Sequence, residues 1–221
     1  MKRYKGIIFD LDGTLLNTIE DLTDSVNDVM DDYHFPQHDV KTCKMMVGNG
    51  FRKLIMRALP KEKQTDEEFI DDAQKKFAQA YQKRYLNKTV PYEGILQLLD
   101  ELVQKGIQIA VNSNKRSDYT NALVDKFFSD YKMIAVYGER EKEGIPKKPD
   151  PTAALEIADK MHLNIEEVLY IGDSKTDMHT GQNAGMDTIG VSWGFRGPEE
   201  LKENKATYIV EKPEDILNYV L

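Results

Sequence analysis

An alternation that begins near residue 90 constrains the fold more than any other feature. The runs "IQIAVNS", "MIAVYG", "VLYIGD", "DTIGVS" and, more weakly, "TYIV" are apolar and of strand length. Between them lie stretches of helical spacing: Ile95, Leu98, Leu99 and Leu102 with Gly106 as a C-terminal stop, then 119–128, 152–162, 176–184 and 214–220. Strands that alternate with helices in this way predict an open, mostly parallel, doubly wound sheet covered on both faces, an α/β fold.

The run "IIF" adds a further strand at the start of the chain, but the segment after it breaks the alternation. Asp12-Gly13 is a hairpin signal, and a hairpin needs a second alternating strand. Instead Ile19, Leu22, Val26, Val29 and Tyr33 recur at helical spacing, with Glu20, Asp21, Asp24, Asp28, Asp31 and Asp32 on the face expected to be solvated. From about residue 39 to 85 the chain reads as helices only. "FRKLIMRAL" follows a Gly-Asn-Gly turn and ends at Pro60, and Thr65 with Glu68 has the spacing of a capping box ahead of a long helix reaching about Asn87. The expected organisation is therefore a discontinuous α/β core, residues 1–15 and 90–221, with an all-helical cap inserted over residues 16–89.

A formal charge of −8, from 38 acidic and 30 basic side chains, argues against a nucleic-acid surface, so an anionic substrate must be attracted locally. The single cysteine, Cys43, cannot form an internal disulfide and reads as a small core residue in a reducing compartment. Asp10 ends the first apolar run too early for a signal peptide, and no run approaches membrane-spanning length. The expectation is a cytoplasmic protein without membrane or nucleic-acid partners, a monomer or a homodimer.

Ligands of open α/β sheets sit beyond the carboxyl ends of the strands. Asp10 and Asp12 follow the first strand, Ser113 and Asn114 end the second, Lys148 lies in the loop after "MIAVYG", and Asp173 follows "VLYIG". Carboxylates gathered there without compensation would take up protons. A cation is the alternative, and oxygen donors without clustered His or Cys select a hard ion such as Mg²⁺. Asp10 could then stay ionised and act as a nucleophile, with Lys148 neutralising phosphoryl oxygens and Asp12 moving the proton.

"DLDGTL", Ser113-Asn114-Lys115, "KKPDP" and "GDSKTD", in that order, resemble the four motifs of the haloacid dehalogenase superfamily, and within it the chain is similar to phosphoglycolate phosphatases. The cap with "VGNG" and the tail "VSWGFRGPEEL" extend the resemblance over nearly the whole chain. It implies that Asp10 is the nucleophile and Asp12 the acid and base, that Thr14 supports their loop and the substrate, and that Ser113 and Asn114 bind the phosphoryl group. Lys148 would orient nucleophile and phosphate. Asp10, Asp173, Asp177 and the backbone carbonyl of Asp12 would serve a Mg²⁺ ion. Asn17 and Ser113 depart from close relatives, which often have an acidic residue and Thr there. The implied activity is hydrolysis of a small phosphorylated metabolite through an aspartyl-phosphate. Alternatives are a sugar phosphomutase of the β-phosphoglucomutase kind and a non-enzymatic phospho-accepting module.

Several bland readings stand beside these. Ser113 and Asn114 could cap a helix, and Asp173, Ser174 or Asp177 could do likewise. Gly48-Asn49-Gly50 lacks the glycines of a nucleotide loop; it is a turn that the resemblance offers for substrate contact, with Arg52 a candidate for the substrate's own anionic group. His34, His38, His162 and His179 show no ligand spacing, and Trp193 and Phe195 read as packing residues.

Overall fold

The computed structural model describes residues 4–220. In chain order the elements are β1 (Gly6–Phe9), β2 (Leu16–Asn17), α1 (Ile19–Asp32), α2 (Val40–Met46), α3 (Phe51–Ala58), α4 (Glu67–Arg84), β3 (Val90–Pro91), α5 (Ile95–Gln104) and β4 (Gln108–Arg116). They continue as α6 (Ser117–Phe128), β5 (Met133–Glu139), α7 (Thr152–Met161), β6 (Val168–Gly172), α8 (Lys175–Asn183), β7 (Asp187–Val191), α9 (Pro198–Glu203) and β8 (Tyr208–Val210). Two compact units result: residues 4–16 with 91–220, and residues 17–90. No helix among the described residues is long and apolar enough to cross a membrane.

The first unit is built on a six-stranded sheet of order β5-β4-β1-β6-β7-β8. Its neighbouring strands pair in parallel, with Phe9 level with Val111 on one side and Ile171 on the other. Every residue of β1 and β6 is buried, as expected of central strands covered on both faces. Ile8, Ala110 and Tyr170, level with one another, pack with Ala154, Ile157, Ala158 and Met161 of α7. After β5 the chain returns to the far side of β1 to form β6. That reversal opens a crevice at the carboxyl ends of β4, β1 and β6, where open α/β sheets take their ligands.

The second unit is helical. Leu22, Val26 and Val29 of α1 face its core, with Phe51, Phe77 and Tyr81, whose rings pack edge-on or stacked at centroid distances of 4.8–5.7 Å. Arg84 of α4 grips Asp28 of α1 through two hydrogen bonds of 2.7 and 2.9 Å. Cys43 is buried, and burial pushes its thiol pKa up.

Four local expectations change. Asp21, on the face of α1 expected to be solvated, is buried: its carboxylate accepts the Lys88 and Thr89 N–H groups at 2.9–3.1 Å and the Thr89 hydroxyl at 2.8 Å. A buried carboxylate is tolerable because these donors replace its water. Asp66, not Thr65, caps α4, accepting the Phe69 N–H at 3.1 Å. Residues Pro213–Tyr219 turn as a 3₁₀ helix rather than an α-helix. Finally, β4 runs on past Ser113 and Asn114 to Arg116 instead of ending with them, with a register irregularity against β5 between Asn112 and Arg116.

Candidate active site

The crevice gathers Asp10, Lys148, Asp173 and Asp177. β1 delivers Asp10, whose N–H bonds the Ile171 carbonyl at 2.8 Å, so the backbone is held by the sheet up to the residue that carries the chemistry. The loop after β5 delivers Lys148, and its Nζ lies 2.8 Å from Asp10 Oδ1 and 2.7 Å from Asp177 Oδ1. Asp173 leaves the end of β6, and Asp177 sits in the first turn of α8.

One oxygen each of Asp10, Asp173 and Asp177 lies within 4.8 Å of the others, all three residues being buried. Burial, then the Asp177 charge, pushes the Asp10 carboxyl up to about 7, although Lys148 pulls the other way. Asp173 is raised well above the carboxylate range for the same two reasons in the same order, only partly offset by the Phe195 N–H. Burial would deprotonate Lys148, but the charges of Asp10 and Asp177 more than compensate and keep it an ammonium ion. Such a site carries more negative charge than one lysine balances. The donor set is oxygen only and buried, so it fits a small divalent cation, which would favour the ionised forms of Asp10 and Asp173.

Asp177 takes the capping role weighed from the sequence and also meets Lys148. Its Oδ2 accepts the Ser174 N–H at 3.1 Å and hydroxyl at 2.6 Å, capping α8, while Oδ1 meets Lys148. Asn114, expected to bind the phosphoryl group, has its side chain engaged by the Lys148 backbone. Its side-chain amide donates to the Lys148 carbonyl at 3.1 Å and accepts the Lys148 N–H at 2.8 Å, so it holds the loop that presents the ammonium group. Ser113 Oγ accepts the Lys115 N–H at 3.2 Å. Thr14 is fully buried, and its hydroxyl has no hydrogen-bond partner among the described residues, which makes it part of the loop's packing rather than its surface. The Asp12 side chain lies outside the three-carboxylate set and pairs with Lys115.

Gly48, Asn49 and Gly50 belong to the helical unit. Gly48 and Gly50 have φ of +120° and +82°, and Asn49 Oδ1 accepts from Arg57 Nη2 at 2.7 Å. Arg52, offered for an anionic substrate group, forms ion pairs with Glu67 and Asp71.

Sequence reasoning passed over a supporting loop. Trp193 Nε1 donates to the Thr14 carbonyl at 3.0 Å, and the Phe195 N–H donates to Asp173 Oδ2 at 2.6 Å. Between them, a Cβ on Gly194 would stand 2.3 Å from Asp173 Cβ and 2.4 Å from the Gly13 carbonyl, so only glycine admits this approach. The available signal was position: "SWGF" follows β7 at the same sheet edge as the acidic residues.

A family model described as haloacid dehalogenase-like hydrolase matches residues 7–191. The phosphoglycolate phosphatase of Psychrobacter arcticus is 32% identical, the match covering 97% of this chain and 95% of the relative. That of Pasteurella multocida is 30% identical over 98% of each. A crystal structure of a protein from Lactobacillus delbrueckii subsp. bulgaricus matches with a TM-score of 0.90 and 31% identity over 99% of both chains.

Proposed function

Since the chain belongs to the haloacid dehalogenase-like hydrolase family and is a phosphatase, we propose that it hydrolyses a small phosphate monoester of the phosphoglycolate kind through an aspartyl-phosphate on Asp10, with Mg²⁺ as cofactor. The convergence of Asp10, Lys148, Asp173 and Asp177 in one buried cluster carries this reading.

In the first half-reaction an Asp10 carboxylate oxygen forms a bond to phosphorus while the ester P–O bond breaks, and Asp12 gives its proton to the departing oxygen, which leaves as an alcohol. In the second, water attacks phosphorus and Asp12 takes the water's proton. The bond from phosphorus to Asp10 breaks, releasing inorganic phosphate and restoring the Asp10 carboxylate. Lys148 holds the nucleophile's oxygen in place and neutralises negative charge on the transferring group. Asn114 fixes the Lys148 backbone, and the Trp193–Phe195 turn fixes Asp173 and the loop after Asp10. Asp10 and Asp173, with Asp177 beside them, would hold Mg²⁺, which when bound supplies the positive charge that lets these carboxylates remain ionised together. Choice among esters is assigned to the helical unit, with Gly48-Asn49-Gly50 the first segment to vary, on the strength of its likeness to the cap loop of related phosphatases.

The test is a panel of small phosphate esters assayed for phosphate release with and without Mg²⁺, parent beside Asp10→Asn. Release that requires Mg²⁺ and falls by at least about 10³-fold in the folded variant supports the reading. Full activity in Asp10→Asn, or return of the phosphoryl group to another position of a sugar instead of release as inorganic phosphate, overturns it.

A further inference from the structure

The first loop carries two carboxylates two residues apart, and each meets its own lysine. Lys148 takes Asp10. Lys115 takes Asp12, its Nζ standing 3.1 Å from Oδ1 and 3.0 Å from Oδ2, with the lysine side chain 1% and the Asp12 side chain 13% exposed. Several features fix Lys115 where it is. It lies in the last residues of β4, and its carbonyl accepts the Thr120 hydroxyl at 3.3 Å. Gly138 of β5 approaches so closely that a Cβ there would stand 2.7 Å from that same carbonyl. The side chain therefore starts from a rigid strand end and reaches inward to a carboxylate 103 positions earlier in the sequence.

A buried ion pair is weak grounds for stability, because apolar residues of similar volume often serve as well. What a two-oxygen contact does provide is orientation. The Asp12 side chain would otherwise be drawn toward the same positive charge as Asp10, Asp173 and Asp177, and a carboxylate turned into that cluster could not also reach the substrate oxygen. We propose that Lys115 is a positioning residue for Asp12, holding its carboxylate apart from the three-carboxylate cluster and aimed for proton transfer to and from the substrate oxygen. This rests on the reading of Asp12 as acid and base.

The experiment compares two esters by kcat/KM, which reports only the steps through cleavage of the ester bond. An alkyl phosphate needs a proton on its leaving oxygen; p-nitrophenyl phosphate, whose leaving group is stable as an anion, does not. The full chain with Mg²⁺ is assayed as parent, Asp12→Asn, Lys115→Met and the double variant, and folding is checked by circular dichroism. Lys115→Met is expected to lower the alkyl-to-aryl ratio roughly 10- to 100-fold, with part recovered in Lys115→Arg. In the Asp12→Asn background Lys115→Met should shift that ratio no further, since a residue acting only through Asp12 has nothing left to act on. An equal fall for both esters, or an undiminished shift without Asp12, overturns the proposal. If Asp12→Asn itself leaves the ratio unchanged, the acid role fails and the proposal with it; if Asp12→Asn moves the ratio and Lys115→Met does not, only Lys115 loses its role. Should Lys115→Met not fold, Lys115→Gln, which keeps an N–H donor without the charge, enters the same cycle with the same outcomes.

Discussion

Replacing Asp10 by Asn and removing divalent ions with a chelator isolates the electrostatic cost of the carboxylate cluster. In the folded chain burial, followed by the Asp177 charge, moves the Asp10 carboxyl from 3.8 up to about 7. Across that interval the folded chain binds more protons at this residue than the unfolded chain does, so its contribution to stability falls as pH rises. The contribution is complete below about pH 4 and lost by the time pH passes about 7. At about 1.4 kcal/mol per pH unit over about three units, the loss is about 4 kcal/mol. For a chain of this length that corresponds to on the order of 10 °C in Tm. The asparagine of Asp10→Asn has no proton to lose, so the variant should melt near the parent at about pH 4 and above it by on the order of 10 °C at about pH 8. Calorimetric melts in chelator at intervals between those limits measure the difference. Excess Mg²⁺ should then raise the parent, by about 2.7 kcal/mol at a hundredfold excess over its Kd, and raise the variant much less. A parent whose Tm in chelator falls no further with rising pH than that of Asp10→Asn would sink this electrostatic account, because the Asp10 carboxylate would then need no cation.

Gly194→Ala forces a methyl group against Asp173 and the Gly13 carbonyl. It should destabilise the protein by about 1–3 kcal/mol and raise the Mg²⁺ concentration needed for half-maximal thermal stabilisation, read from melts across a Mg²⁺ series. Asp21→Asn leaves one acceptor oxygen where two carboxylate oxygens receive the Lys88 and Thr89 donors, so urea unfolding should show a loss of about 1–3 kcal/mol. No change in the urea midpoint would show that those bonds are replaced by water at no cost.

The strands of the sheet were legible because β1 and β4 to β7 are runs of apolar residues too short for buried helices and bounded by polar groups. Asp10 and Asp173 were legible for a related reason: an acidic residue at the end of a buried strand needs a partner, and the parallel arrangement brings such ends to one edge. Periodicity fails where the partner is remote. Asp21 occupies a polar slot of the α1 repeat, and nothing near it announces donors 67 and 68 residues later. Trp193 reads as a packing residue because the carbonyl it serves is 179 positions away, and Lys115 has no role of its own in the sequence until Asp12, 103 positions earlier, is beside it. Local capping was misread at Thr65 because Asp66, one residue on, offers the stronger acceptor and sits at the spacing that reaches the Phe69 N–H. Pairings as short as β2 with β3, two residues each, carry no pattern at all.

The carboxylate of Asp21 ties the beginning of the helical unit to its last residues, and β2 pairs with β3 where the chain departs and comes back. A segment of some seventy residues that fastens its own ends meets its host as a tight turn would. Closing a loop by itself costs entropy that grows only with the logarithm of its length, and here even that is borne internally. Helices in this segment can therefore be lengthened, shortened or exchanged while the strands on either side keep their register, which makes residues 17–90 a natural place for change around an unchanged sheet.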